Sequence, residues 1–144
     1  MNKIILEVSL SEFQALFDYA REIHAQKEEP IPELGVDNIP KIDTALHQPF
    51  QTWGGEYLYK GLCKKAAMLF YLVIDNHVMV NGNKRMACLL LSYFLIKNSY
   101  SLLIPDKKLK ALAKKVANPH DHDIMLKEIE TTIRKYLKPF KKNK

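Results

Sequence analysis

Nine residues at positions 77–85, HVMVNGNKR, place polar and charged side chains between two strongly apolar stretches. Gly82, Asn83 and Lys84 stand where the second apolar stretch would begin as a helix. The first N–H groups of a helix lack internal partners, and the helix dipole adds partial positive charge there, so such an end binds anions. Arg85 can grip phosphate oxygens bidentately, which a lysine cannot do. This half of the segment predicts a cradle for a polyphosphate.

His77 stands on the other side of the same loop. A histidine is largely neutral at neutral pH and can take a proton from a hydroxyl group. A base beside an anion cradle is the minimum needed to move a phosphoryl or nucleotidyl group. The alternative is a plain polar turn between two helices. In that interpretation His77 ends the first helix, and Lys84 and Arg85 are only solvated.

The elements that must position this loop are predicted to be two buried helices. The first runs from about 56 to 76, and its second half, 66–74, is apolar on every side. A helix without a polar face is buried all round. The second runs from about 83 to 97, with Asn98 as its C-cap. The sequence therefore predicts an all-α protein, one domain over 1–144, built around a helix hairpin whose turn is the polar loop.

Shorter elements are predicted on both sides of this hairpin. Capping residues and helix breakers set their boundaries. The expected elements are a strand at 3–8, a helix capped by Ser9 or Ser11 (with Ser11 and Gln14 as a capping box) to about Gln26, a loop through Pro40, a helix at 41–47 ended by Pro49, a turn at Gly54 and Gly55, an extended segment at 101–104, a helix from Asp106 to about Val116, and a helix capped by Asp121 or Asp123 to about Leu137.

The formal charge of +6 is concentrated at the C-terminal end of the sequence. From Arg134 onward there are six Lys or Arg residues and no acid, which leaves 16 basic and 16 acidic residues elsewhere. This basic tail could contact nucleic acid or an acidic partner, or be a frayed, solvated end. No aromatic nucleic-acid motif accompanies it, so no specific nucleic-acid binding is predicted. The apolar runs at 66–74 and 86–96 fall short of the roughly 20 residues of a membrane span, which favours a cytoplasmic protein without a membrane partner.

The loop resembles the signature of the Fic/Doc family, HxFx(D/E)GN(G/K)R, and its Lys84 variant resembles the Doc, or death-on-curing, branch. The likeness extends over roughly 44–104. It includes ALHQPFQTWGGEYLYKGLCKKAAMLFYLVIDNH before the motif and SYFLIKNSYSL after it. The motif is specific, because about seven positions agree in kind and context. The resemblance implies an all-α Fic-type helical domain.

The resemblance also implies an activity, the transfer of part of ATP, with Mg²⁺, to a protein hydroxyl. His77 would be the general base, Gly82, Asn83 and Lys84 the anion hole, and Arg85 a phosphate ligand. Family members with glycine in place of Lys84 mostly transfer AMP, whereas Doc resembles a kinase that phosphorylates a threonine of elongation factor Tu. A long cation in the cradle should seat the triphosphate differently and favours phosphoryl transfer. The chain would then be a toxin, restrained by an antitoxin or by homo-oligomerisation.

Four positions depart from the family pattern. Asn81 replaces the acid that helps hold Mg²⁺, and a neutral amide is a weaker ligand for this hard cation. Met79 and Val78 replace a Phe and a common Pro, but both are apolar and can still anchor the loop. Cys88 stands where the glycine-containing branch has a second Arg. These departures leave open an alternative, a Fic-type domain that binds a nucleotide or a partner with little catalysis.

Two further segments carry candidate sites. Trp53, Gly54 and Gly55 are interpreted as part of a flap, with a short β hairpin, that docks a target segment; alternatively the lone tryptophan packs on the core. The family's self-inhibitory motif, (S/T)xxxE(G/N), is not matched by TWGGEY at 52–57. The string PHDHD at 119–123 holds four residues able to bind metal, but acids at a helix start favour capping instead.

Overall fold

The computed structural model describes residues 4–24, 31–79 and 82–140, and most of these are helical. The prediction of an all-α fold is confirmed, because the strands in this part of the chain are two or three residues long. The helices are α1 (Leu10–His24), α2 (Asn38–His47), α3 (Leu62–Asp75), α4 (Asn83–Lys97), α5 (Asp106–Ala117) and α6 (His122–Tyr136), with a 3₁₀ turn at Gln48–Phe50. The strands are β1 (Thr52–Trp53), β2 (Glu56–Tyr57), β3 (Tyr100–Leu102) and β4 (Leu137–Pro139), paired antiparallel as β1–β2 and β3–β4.

The helix hairpin of α3 and α4 forms the centre of the core, as predicted. Every residue of α3 from Lys65 to Ile74 is buried. The helix packs against α2, α4, α5 and α6, and so has no face toward solvent over this stretch. In α4, six buried apolar residues line its inner side: Met86, Ala87, Leu90, Leu91, Phe94 and Leu95. The polar loop of 77–82 is the turn between the two helices, so its ends are fixed by the most buried part of the molecule.

The predicted start of the first core helix at residue 56 is wrong. Residues 52–57 form the β1–β2 hairpin instead, and α3 begins at Leu62. The reason lies in the glycines, because Gly54, Gly55 and Gly61 all have positive φ angles. Two consecutive left-handed residues make a tight hairpin turn, and the third sits at the N-cap of α3 and prevents the helix from extending backward. The turn predicted at Gly54 and Gly55 is therefore confirmed.

The N-terminal helix begins with a capping box that differs from the predicted one. The Ser9 hydroxyl accepts a hydrogen bond from the Glu12 backbone N–H at 3.1 Å, and the Glu12 carboxylate accepts one from the Ser9 N–H at 3.0 Å. The proposed pairing of Ser11 with Gln14 is wrong, because Ser11 is already the second residue of α1 and both side chains are exposed. Residues 4–9 form no strand, and the predicted helix end at Gln26 lies outside the described residues.

Replacing Ser9 with alanine should lower the free energy of unfolding by about 0.5–2 kcal/mol, because the first turn of α1 loses the acceptor for the Glu12 N–H. Ser11→Ala is the matched control. It changes the same residue type two positions away and should cost no more than about 0.5 kcal/mol. Urea denaturation followed by circular dichroism measures both, and a larger loss in the Ser11 variant would contradict this capping arrangement.

The C-terminal segment is ordered further than the predicted frayed tail. Asp121 caps α6 by accepting a hydrogen bond from the Ile124 N–H at 3.0 Å, which settles the predicted choice between Asp121 and Asp123. After α6, strand β4 pairs with β3, and the Phe140 N–H donates to the Ser99 carbonyl at 2.8 Å. The basic tail is thus tied to the end of α4 through residue 140. No helix in the described parts of the chain is long and apolar enough to cross a membrane.

A polar cluster joins α1 to the far end of α4. The Glu12 carboxylate accepts hydrogen bonds from the Lys97 ammonium at 2.6 Å and from the Tyr93 hydroxyl. Burial alone raises the pKa of Glu12, but the hydrogen bonds from Lys97, Tyr93 and Ser9 outweigh it and lower that pKa to about 2. A carboxylate with a depressed pKa favours the folded state only while it is ionised.

Because the pKa of Glu12 falls from 4.5 to about 2 on folding, its stabilisation is present above about pH 4.5 and is lost as the pH falls toward 2. Glu12→Gln keeps a capping residue but removes the charge. At pH 7 we expect the variant to be less stable by about 1–3 kcal/mol, and the difference should shrink steadily between pH 5 and pH 3. Urea denaturation across this range measures it. A difference that does not change with pH would contradict the low pKa.

Candidate functional site

His77 lies just beyond the C-terminal end of α3, in an unusual backbone conformation. The helix ends at Asp75, Asn76 is its C-cap, and the His77 N–H donates to the Ile74 carbonyl at 3.3 Å. The φ angle of His77 is +45°, in the left-handed region that costs a non-glycine residue about 1–2 kcal/mol. Its imidazole is exposed. A left-handed residue just past the C-cap ends the helix, and here it leaves the imidazole at the surface of the loop.

The loop after His77 is fastened at both ends. Val78 and Met79 are buried, so the apolar anchoring expected of these two substitutions is present. Asn83, the first residue of α4, brackets the Met79 backbone. Its side-chain oxygen accepts from the Met79 N–H at 2.9 Å, and its amide nitrogen donates to the Met79 carbonyl at 3.0 Å. The Asn83 side chain therefore braces the loop, a use that the sequence did not indicate. Asn81, the predicted weak metal ligand, lies outside the described residues.

Gly82 is buried at the N-cap of α4, and two constraints require a glycine there. Its φ angle is +80°, and an added Cβ would lie 3.1 Å from the Ile31 side chain. Ile31 belongs to the segment between α1 and α2, and its carbonyl accepts from the Arg21 side chain at 3.1 Å. That segment therefore borders the cradle. The sequence does not predict this contact, because the two residues lie 51 positions apart and share no local pattern.

The first turn of α4, at the positive end of the helix dipole, contains no acidic side chain. The N–H groups of Asn83 and Lys84 donate to no residue in the described segments. The Lys84 side chain is exposed, and Arg85 is half-buried. Two cations and the partial charge of a helix N-terminus thus coincide at one place. This arrangement can bind an anion, and the hydrogen bonds of Asn83 tie it to Met79, two residues after His77 in the chain.

The β1–β2 hairpin is not brought together with this loop. Trp53, Gly54 and Gly55 precede the N-terminal end of α3, whereas His77 follows its C-terminal end. A helix of 14 residues spans about 20 Å. Trp53 is 81% exposed, so it does not pack on the core. The role of the hairpin as a docking surface stays a prediction. A target bound there would have to extend over about one helix length to reach His77.

A buried lysine holds the hairpin on α3. The Lys65 side chain is 1% exposed, and its ammonium donates to the Tyr59 carbonyl at 2.5 Å. It also lies 3.9 Å from the centre of the Tyr57 ring, within cation–π range. No carboxylate among the described residues pairs with it, and burial lowers the pKa of Lys65. The charge is therefore held by a carbonyl and an aromatic face.

Lys65→Met should loosen the hairpin while leaving the helical core intact. Methionine preserves the packing of the stem, but it removes the hydrogen bond to Tyr59 and the cation from the Tyr57 ring. We expect amide hydrogens of residues 52–59 to exchange about tenfold faster, with α3 and α4 unchanged. Lys64→Met, at the exposed neighbouring position, is the control and should leave exchange unaltered. Equal exchange in both variants would show that Lys65 does not fasten the hairpin.

The histidines of PHDHD contact a tyrosine of α3. The Tyr71 hydroxyl lies 2.8 Å from His120 Nε2 and 3.0 Å from His122 Nδ1. Burial and the nearby Asp75 raise the pKa of Tyr71 to about 12. Asp121 caps α6, which explains an acid at this position, and no group of three metal-binding side chains occurs in the portions that the structure describes. Cys63 and Cys88 are free thiols, buried and half-buried respectively.

The loop and the helices around it match a known family. The model of the Fic/DOC family matches residues 9–95, which is more than half of the chain. The match covers α1, α2, α3, all but the last two residues of α4, and the loop between α3 and α4. No curated protein and no solved structure matches the chain. Members of this family are usually nucleotide-transferring enzymes that modify proteins. On the extent of this match, the chain belongs to the Fic/DOC family.

Proposed function

We propose that the protein is a Doc-like protein kinase, which moves the γ-phosphoryl group of ATP to a hydroxyl of a protein target. The observation that carries the proposal is the first turn of α4. It combines a left-handed Gly82, N–H groups without partners among the described residues, and an exposed Lys84. Asn83 ties this cradle to the loop that holds His77. Anion site and base are thereby kept in one rigid unit.

The proposed reaction is a direct displacement at phosphorus. His77 accepts the proton of a Ser, Thr or Tyr hydroxyl of the target as that oxygen bonds to the γ-phosphorus. The bond from the γ-phosphorus to its bridging oxygen breaks, and ADP leaves with the electron pair. Lys84, Arg85 and the N–H groups of α4 neutralise the charge on the phosphate oxygens. Each role rests on a side chain or backbone group whose position was described above.

Mg²⁺ would enter this site with ATP. Within the described residues, no cluster of carboxylates or histidines is arranged to hold a metal, and the neutral Asn81 occupies the position of the family's acid. An ion at the site would therefore depend on phosphate oxygens and water for most of its ligands. When bound, it would supply positive charge that offsets the negative charge of the phosphates.

Two alternatives follow from particular residues. AMP transfer would result if the triphosphate were seated with its α-phosphorus toward the hydroxyl, but Lys84 adds a long cation where AMP-transferring relatives have glycine. Asn81, in place of an acid, supports the second alternative, a catalytically degenerate domain that binds a nucleotide or a partner. The kinase proposal extends to a cytoplasmic toxin, with a translation factor such as elongation factor Tu as target and an antitoxin or homo-oligomerisation as restraint.

ATP labelled at the α- or the γ-phosphate separates these functions. Purified protein is incubated with Mg²⁺, bacterial lysate and either label, and the proteins are then resolved on a gel. A labelled band with γ-labelled ATP alone is expected for phosphoryl transfer. A band with both labels would instead indicate AMP transfer together with background phosphorylation by kinases of the lysate. Heat-treated lysate supplemented with elongation factor Tu is the control, because its own kinases are inactive. No band with either label would favour the binding domain.

A further inference from the structure

A groove of about 610 Å³ lies between the start of α4 and one face of α5, within the size range of small-ligand sites. Its α4 wall consists of Lys84, Arg85 and Cys88. Its α5 wall consists of residues at helical spacing, which therefore share one face of that helix: Asp106, Lys110, Ala113 and Lys114. The groove thus begins at the anion cradle and continues along α5.

Most of the charged residues that line this groove are cations. Four of its seven lining residues are cations, and Asp106 is the one acid among them. Lys114 forms no ion pair with a described residue. Lys110 pairs with Asp106 at 2.9 Å, but both side chains are more than 70% exposed, so this pair is weak and can exchange for another anion. Lys110 and Lys114 thus offer positive charge that no described residue neutralises firmly.

The floor of the groove adds no opposing charge. Burial raises the pKa of the Cys88 thiol to about 11, so it is neutral at physiological pH. Ala113 is buried and apolar. Because Cys88 is uncharged, the cations on the α4 wall end at Arg85. The other cations that line the groove come from α5. A chain of phosphates longer than the cradle itself would meet those cations.

We infer that Lys110 and Lys114 of α5 bind the phosphate chain of the nucleotide whose other end sits in the α4 cradle. This inference rests on the proposed function, and it adds a second wall to the nucleotide site. Helix α5 begins at Asp106, beyond the residues 9–95 that match the family model, so the match assigns it no role. The ligand class is a nucleoside triphosphate, recognised mainly through its phosphates.

The inference makes predictions of opposite sign for neighbouring residues. Lys110→Met and Lys114→Met should each weaken ATP binding about tenfold, since each removes a charge-assisted contact to phosphate. Asp106→Asn should strengthen ATP binding several-fold, because it removes a repelling charge and frees Lys110. Lys107→Met, on α5 but outside the groove, should leave the affinity unchanged. A gain of ATP affinity in the Asp106 variant cannot result from unfolding. The four variants together therefore distinguish a binding role of the α5 lysines from a structural one.

Isothermal titration calorimetry at one fixed ionic strength tests this set with ATP, ADP and inorganic triphosphate. The two lysine variants should lose similar affinity for ATP and for inorganic triphosphate, and less for ADP. The inference is overturned if they bind ATP as the Lys107 variant does, if wild-type protein binds no ATP, or if inorganic triphosphate is unaffected. If the protein transfers the phosphoryl group but the two lysine variants bind ATP as wild type does, the inference is wrong and the proposed function stands. If ATP binding depends on the two lysines but no phosphoryl group is transferred, the proposed kinase function is wrong and the inference stands.

Discussion

Replacing His77 with alanine should reduce phosphoryl transfer by about 10²–10⁴-fold, because it removes the proposed base for the proton of the attacking hydroxyl. ATP affinity should stay within about twofold of wild type, since the anion cradle belongs to α4. The rate of incorporation of γ-labelled phosphate gives the first quantity, and calorimetric titration with ATP gives the second. In cells, toxicity on expression should disappear with the activity.

A second substitution controls for the backbone at this position. Asparagine tolerates the left-handed region better than alanine does, but its amide cannot act as a base. His77→Asn should therefore fold at least as well as His77→Ala and be equally inactive. If the asparagine variant retained activity, His77 would be a structural helix terminator and not the base. If both variants lost ATP binding along with transfer, the loop would be acting through the shape of the cradle.

Replacing Phe94 with alanine should lower the free energy of unfolding by about 3–5 kcal/mol. Phe94 is fully buried in α4, and its ring lies edge-on to that of Phe50 at 6.2 Å between centroids. The change leaves a cavity between the core helix and the 3₁₀ turn that leads to the hairpin. Urea denaturation followed by far-ultraviolet circular dichroism measures the loss. A loss of this size is a large part of the 5–15 kcal/mol typical of a folded domain.

Ile96→Ala is the matched control for Phe94→Ala. It lies two residues further along the same helix, and its side chain is 48% exposed. Both substitutions introduce alanine into α4, so helix propensity cannot explain a difference between them. We expect the control to cost less than about 1 kcal/mol. Similar losses in the two variants would mean that α4 does not bury the side that the structure assigns to the core.

The parts of this molecule that the sequence predicted well are those with a strong local pattern. The run 66–74 is apolar on every side, and only a central helix can accommodate that. The capping box was misplaced because Ser9 with Glu12 and Ser11 with Gln14 both fit the motif, and only packing decides between them. The helix start was misplaced because Gly61, which ends the backward extension of α3, is a single residue inside an otherwise helix-compatible stretch.

The candidate site was predicted as a list of residues but not as an arrangement. The polar loop and the chemistry of His77 and Lys84 follow from residue type and position at a helix end. The contact of Ile31 with Gly82 joins residues far apart in the chain, and no periodicity announces it. The same holds for α5, because the spacing of its lysines is that of a solvated helix face and does not predict the groove that they line with α4. Long-range pairings of this kind depend on how helices pack, which one sequence does not encode locally.

Trp53 is the single tryptophan of the chain, and it stands at the exposed hairpin about one helix length from His77. Its intrinsic fluorescence therefore reports on the hairpin alone. Because the indole is already in contact with water, melting of the core should barely move its emission maximum. A partner covering the hairpin should shift the emission to shorter wavelength. Tryptophan fluorescence of this protein should therefore report binding at the hairpin and be almost insensitive to unfolding of the core.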